Sequence, residues 1–224
     1  YFITKPIFLT LNLFYDLVGN FGVAIILLTL LIKILLFPIA SKGYRAMKEM
    51  KRLQPEMIRI KNQYKDEPMK AQQEVIALYK KEKVNPASGC LPMFIQLPVF
   101  FALYKVLFVT IEMRHAPFIG PWQDLSVMDP TNLFTAFGLI PWAAPAFLSL
   151  GILPIIMALS MWYQMSLQPA PPDPVQAKVM KFMPLLLLLF VKGMPAGLVL
   201  YWCVSNILSI FQQQVLTGGS RRSP

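Results

Sequence analysis

The sequence predicts an all-α integral membrane protein: five transmembrane helices, a cytoplasmic helical hairpin and an N-terminal interfacial helix. Three observations carry this prediction. Hydrophobic residues make up 56% of the 224-residue chain and charged residues only 14%, where a soluble domain has about a quarter charged. Mean hydropathy is +0.53, and the apolar residues gather in runs near the roughly 20 residues needed to cross a hydrocarbon core. Of the 21 Lys and Arg residues, 12 fall within residues 41–84, so charge and apolarity are segregated along the chain.

Residues 1–18, "YFITKPIFLTLNLFYDLV", place Phe2, Ile3, Ile7, Phe8, Leu11, Phe14, Tyr15 and Val18 at helical spacing. The stretch is short and carries Lys5, Asn12 and Asp16. It reads as an amphipathic helix lying on the periplasmic membrane surface. Residues 19–40 form span one, with Pro38 near its end, where a kink is tolerated. Residues 41–84 carry Met47, Met50, Leu53, Met57 and Ile60, then Val75, Leu78 and Tyr79, at intervals of three or four, with Asp66 and Pro68 marking a helix start between the two sets. This is the cytoplasmic hairpin. Residues 85–113 are span two, with Pro92 and Pro98 inside it. Residues 114–147 are a periplasmic loop, polar over "PFIGPWQDLSVMDPTN" and then apolar but broken over 133–147, "LFTAFGLIPWAAPAF". Residues 148–167 are span three, 168–174 a Pro-rich cytoplasmic turn, 175–192 span four, 195–216 span five and 217–224 a cytoplasmic tail.

Lys and Arg counts orient the chain. The hairpin, Lys178, Lys181, Arg221 and Arg222 put 16 on one side, against Lys5, Arg114 and Lys192 on the other. The first side is therefore cytoplasmic, which places the N-terminal helix outside and the C-terminus inside. The net charge of +10 suits anionic lipid and an RNA-containing partner such as the ribosome.

Several polar groups stand where lipid would be expected. Lys33 lies about 18 Å along the helix from Phe21 and about 12 Å from Ser41. Two readings stand side by side. Its stem lifts the ammonium to the nearest interface, or it is the positive centre of a water-filled cavity open to the cytoplasm. Thr29 lies four residues before it on the same face. Gln96 in span two, Gln164 in span three and Ser205 and Asn206 in span five are each readable as an interhelical hydrogen bond. Together they give four spans a polar group each. Tyr201 and Trp202 are either packing aromatics or the wall of that cavity. The basic hairpin face, with Arg45, Lys48, Lys51, Arg52, Arg59 and Lys61, is either a solvated surface beside anionic lipid or a docking surface.

The sequence shows no catalytic constellation and no cofactor motif. Cys90 and Cys203 sit in apolar surroundings and read as packed thiols. The single histidine, His115, has no companions at ligand spacing. The chain opens at "YFITKPIF" with neither an initiator Met nor a signal-peptide cleavage pattern, and reads as a piece of something longer.

Five segments in order, "GNFGVAIILLTLLIKILLFPI", "LQPEM", "EVIALYKKEKVNPASGCLPMFIQLPVFFALY", "DPVQAKVMKFMP" and "PAGLVLYWCVSNILSIFQQQ", resemble the YidC-type membrane protein insertases over essentially the whole chain. The preceding amphipathic helix is most similar to the Gram-negative form of the bacterial inner membrane. The resemblance implies a hydrophilic groove open to the cytoplasm and closed outward, in which a cation attracts acidic residues of a client's translocated flank. It implies no enzymatic activity and no cofactor. It implies nascent membrane proteins as clients, inserted alone or with the Sec translocon, docking of ribosomes, and no preference for a nucleic-acid sequence. Lys33, Thr29, Gln96, Gln164, Tyr201, Trp202, Ser205 and Asn206 would line the groove. The family usually has Arg at the position of Lys33; Lys keeps the charge but not the planar fork.

Overall fold

The computed structural model describes residues 3–85, 91–109, 118–133, 150–169 and 174–218. Cys90, His115, residues 134–147 of the apolar insertion and the end of the tail lie outside the described residues. The described residues form eight helices and no strand beyond one isolated bridge.

Helix α1 (Thr4–Val18) ends at Gly19, whose φ of 64° turns the chain left-handed while its N–H bonds the Tyr15 carbonyl. Glycine suits that conformation because it has no Cβ. Asn20 then caps α2 (Phe21–Leu35), its side chain accepting the Val23 N–H at 3.1 Å. The sequence leaves α1 lying on a membrane surface. The structure stands it alongside α2: Ile3, Pro6 and Ile7 at its start share a ≈ 320 Å³ pocket with Ile32, Leu35 and Leu36 at the far end of α2. Ile7 and Leu11 are buried by this packing.

Helix α3 (Phe37–Gln63) follows α2 after a bend of 67°. Span one, expected to run to residue 40, is therefore broken at Leu36. Pro38 supplies the reason. Inside a continuous helix its ring would meet the carbonyl four residues earlier, whereas in the first turn of a new helix its missing N–H costs nothing. No single helix among the described residues is both long and apolar enough to cross a membrane; α2 and α3 pass that test only as a bent pair.

The hairpin continues with α4 (Pro68–Lys81), with proline in its first turn. Tyr44, Met47, Met50, Leu53 and Met57 of α3 interlock with Val75, Leu78 and Tyr79 of α4 as a core of its own, and the Tyr79 hydroxyl bonds Met57 Sδ at 3.1 Å. Arg52 pairs with Glu49 at 3.4 Å and Glu82 at 3.6 Å. These pairs are exposed and hold little energy. Helix α3 also leans on α8, so the hairpin is seated on the bundle.

The remaining helices are α5 (Leu91–Val109), α6 (Ile152–Ser166), α7 (Pro174–Val191) and α8 (Ala196–Gly218). Helix α8 is the hub, packing against α2, α3, α5 and α6, while α7 leans on α6. Two apolar stripes face outward: Phe94, Leu97, Phe101, Tyr104 and Phe108 on α5, and Val175, Val179, Phe182, Leu186 and Leu189 on α7. Exposed apolar faces of that extent mark contact with lipid or another protein.

Residues 118–133 close one end of the bundle. Helices α2, α6 and α8 all begin there. The Asn20 amide donates to the Phe118 carbonyl at 2.9 Å. Ala196 and Gly197 donate their N–H groups to Val127 at 2.7 Å and Leu125 at 2.9 Å, satisfying donors that a helix start leaves open. Asp129 caps α6: Oδ2 accepts the Leu153 N–H at 2.8 Å, and Oδ1 accepts Trp122 Nε1–H at 2.9 Å and the Thr131 hydroxyl at 2.6 Å. Gly22 leaves room for the Phe118 ring, since a Cβ there would fall 2.0 Å from Phe118 Cδ2. The hairpin lies at the opposite end, beyond the C-terminus of α2.

Asp129→Ala removes a helix cap and several charge-assisted bonds at once. The expected loss is ~2–3 kcal/mol of unfolding free energy in detergent, and Trp122→Phe should lose about 1 kcal/mol. Equal stability of Asp129→Ala and the parent would show that the segment does not hold the helix ends together.

Candidate functional site

The break at Leu36 changes the setting of Lys33. By sequence it stands inside a long span; in the structure it occupies the last turn of α2. A cation there faces the negative end of the helix dipole, which stabilises it by about 0.3–1 kcal/mol or more when partly buried. The side chain does not run out to the surface. Lys33 Nζ donates to Ser209 Oγ of α8 at 2.7 Å. None of the ion pairs found among the described residues involves Lys33.

Ser209 belongs to a polar face of α8. Tyr201, Ser205, Ser209 and Gln212 recur at intervals of four, four and three, which puts them on one side of the helix. From α5, the Gln96 amide engages this face with both ends. Its Nε2 donates to the Tyr201 hydroxyl at 2.6 Å and its Oε1 accepts from Ser205 Oγ at 3.2 Å. Tyr201 is 1% exposed and Ser205 2%, so each of these groups has exchanged water for a protein partner, as burial requires. From α3, the hydroxyl of Tyr44 reaches Ser209. Burial raises the Tyr44 phenol above its ordinary range, against the pull of the Ser209 bond, so it stays a neutral hydroxyl.

The three helices and the start of the hairpin thus enclose a polar seam. It leaves a cavity of ≈ 30 Å³ lined by Ile32, Lys33, Leu36, Ala40, Tyr44, Gln96 and Gln212. That is room for about one or two waters. The Oε1 atom of Gln212 is buried in the same region with no hydrogen-bond partner. The seam therefore offers one cation, several hydroxyl and amide groups and unused acceptor capacity. It offers no nucleophile paired with a base.

The structure sorts the residues singled out by sequence. Lys33, Gln96, Tyr201 and Ser205 meet in the seam. Thr29 does not join them; its hydroxyl bonds the Ile25 carbonyl of its own helix at 2.6 Å. Asn206 faces α6 instead, donating to Ser160 Oγ at 3.1 Å. Trp202 packs edge-on against Phe100 with ring centres 5.2 Å apart. Gln164 is half-buried on α6 and makes no hydrogen bond within the seam. On the hairpin, Arg45, Lys51, Arg52 and Arg59 are exposed and Lys48 and Lys61 half-buried. Ser209, Gln212 and Tyr44 were not singled out. The available clue was the continuation of the Tyr201–Ser205 spacing down α8.

The family model described as 60Kd inner membrane protein matches residues 13–222. A membrane protein insertase YidC of Rickettsia rickettsii (strain Sheila Smith) is 57% identical over 213 residues, covering 95% of this chain and 38% of that protein. One from Pelagibacter ubique (strain HTCC1062) is 56% identical over 216 residues, covering 96% and 39%. The chain thus spans well under half the length of these curated relatives. A crystal structure of an active YidC insertase with its first transmembrane domain resolved superposes with a TM-score of 0.69 at 26% identity, covering 99% of this chain and 46% of that one.

The bond between Gln96 and Tyr201 is expected to be worth more than either partner's packing. Tyr201→Phe leaves Nε2–H of the half-buried Gln96 without that acceptor, at a cost of about 1 kcal/mol. In the Gln96→Leu background the same change should cost much less, giving a coupling of roughly 1 kcal/mol in a double-mutant cycle read by denaturation in detergent. Additive effects would contradict the shared bond.

Proposed function

The chain belongs to the 60Kd inner membrane protein family, and on that footing we propose that it is the membrane-embedded core of an insertase that moves membrane proteins from the cytoplasmic side into the bilayer. The observation that carries the reading is Lys33: a cation at the end of an apolar helix, held by a neutral hydroxyl in a polar seam between α2, α5 and α8. Among the described residues Lys33 has no carboxylate partner, and an intramembrane cation of that kind marks a pathway for a polar or acidic substrate.

The five spans are α2 with the first turn of α3, then α5, α6, α7 and α8. The side bearing the hairpin is cytoplasmic, because it holds most of the Lys and Arg. The seam then opens toward the cytoplasm, and the 118–133 segment closes it on the outer side. A client's polar flank enters the seam and replaces the hydrogen bonds that hold it shut. The client's apolar span meanwhile lies against the exposed stripes of α5 and α7, where apolar area is exchanged with lipid at little cost. No covalent bond is made or broken. The barrier falls because the flank crosses part of the bilayer among hydroxyls, amides and one cation instead of hydrocarbon. Acidic flanks gain most, since an ionised carboxylate forms a stronger bond to the ammonium than a neutral group does.

The hairpin face of Arg45, Lys48, Lys51, Arg52, Arg59 and Lys61 is the docking surface for the ribosome or for clients, beside anionic lipid. Larger clients are shared with the Sec translocon.

Lys33→Arg is expected to support insertion and Lys33→Glu to fail for clients whose translocated flank is acidic, read as protease protection of the flank in vesicles. Equal insertion of such a client by Lys33→Glu would remove the electrostatic role. Solute flux through reconstituted protein without client insertion would contradict the reading as a whole.

A further inference from the structure

Lys33 is tied to two elements at once. Its ammonium has only donors, so Ser209 must accept from it, at 2.7 Å. Tyr44 meets the same Ser209 side chain and lines the same cavity as Lys33. Ser209 of α8 therefore links Lys33 of α2 to Tyr44 of α3. Ser209 is 5% exposed and Tyr44 2%, so both partners are enclosed by the protein. Tyr44 has a second attachment. Its ring sits in the hairpin core with Met47, Val75 and Leu78, while its body lines the cavity beside Lys33 and Gln212. It stands two turns past the 67° bend that separates α2 from α3.

A lysine near a helix end can carry its ammonium toward the interface on its flexible stem. In this protein the Ser209 hydroxyl is what keeps the ammonium inside the seam, and Tyr44 is what orients that hydroxyl. We infer that Ser209 and Tyr44 are positioning residues for the Lys33 ammonium, and that through Tyr44 the placement of the cation answers to the hairpin. The inference rests on the reading of Lys33 as the cation that attracts acidic clients. Ser209 holds the place of the client's carboxylate. A carboxylate bonds an ammonium more strongly than a hydroxyl does, so an acidic flank displaces Ser209 with little movement of Lys33.

The test uses the full-length protein in vesicles and two clients that differ only in carrying Asp or Asn in the translocated flank. The readout is the ratio of their insertion, which a loss of folded protein would lower for both alike. Ser209→Ala and Tyr44→Phe are each expected to lower the ratio about fivefold, the factor carried by one hydrogen bond. The double variant should fall no further than either single one, because both cut the same link. Ser209→Thr should keep the ratio. An unchanged ratio in Ser209→Ala or Tyr44→Phe, or additive losses, overturns the inference. A Lys33→Gln arm separates the two levels. If it lowers the ratio while Ser209→Ala does not, the positioning role falls alone; if it leaves the ratio unchanged, the attraction of acidic flanks to Lys33 falls with it.

Discussion

An ammonium group at the end of an apolar helix must have hydrogen-bond partners within the protein or keep its water. This constraint organises the molecule. Lys33 meets it in three ways: the α2 helix stops just beyond it and presents its negative end, Ser209 accepts its proton-bearing nitrogen, and a small cavity admits about one or two waters. Each way demands something of a neighbour. The helix can stop there because Pro38 begins a new one. Ser209 is in reach because α8 packs directly against α2. Gln96, which lines the cavity, is held in place there by Tyr201 and Ser205.

The two ends of the bundle are built differently. At the end where α2, α6 and α8 begin, the 118–133 segment takes up open backbone donors of α6 and α8, and Asp129 gathers the Leu153 N–H, the Trp122 indole N–H and the Thr131 hydroxyl. At the other end the contacts are single hydroxyls and amides, and one buried acceptor, Gln212 Oε1, has no partner at all. Several bonds gathered on one carboxylate resist opening; single bonds, of which Lys33 to Ser209 is the charge-assisted one, yield to it. The asymmetry fits a seam that opens toward the hairpin and stays sealed opposite it.

Much of the architecture is legible in the sequence because it rests on local periodicity. The hairpin is an instance: Met47, Met50, Leu53 and Met57 repeat every three or four residues, and the structure buries these side chains in one core. The limits come where satisfaction is decided by distant partners. Thr29 shares a face with Lys33, yet its hydroxyl is satisfied by Ile25 in its own helix. Asp129 stands in what reads as a polar loop, while one of its partners, the Leu153 N–H, lies 24 residues away. The bend at Leu36 needed both Pro38 and the seat that α8 offers α3. Lys33 stands out in the sequence as a polar group where lipid is expected, but the residue that holds it lies 176 positions along the chain. No local pattern reports that pairing.

The central claim is that the seam around Lys33 is reachable by water from the hairpin side and sealed from the other. It is tested most directly by thiol accessibility. In a background with Cys90 and Cys203 replaced by Ser, a single cysteine at position 209 or 212 is exposed to a charged, membrane-impermeant thiol reagent from each side of oriented vesicles. The account predicts modification from the hairpin-bearing side, and protection from the side closed by residues 118–133. Modification from the outer side, or protection from both, would contradict it.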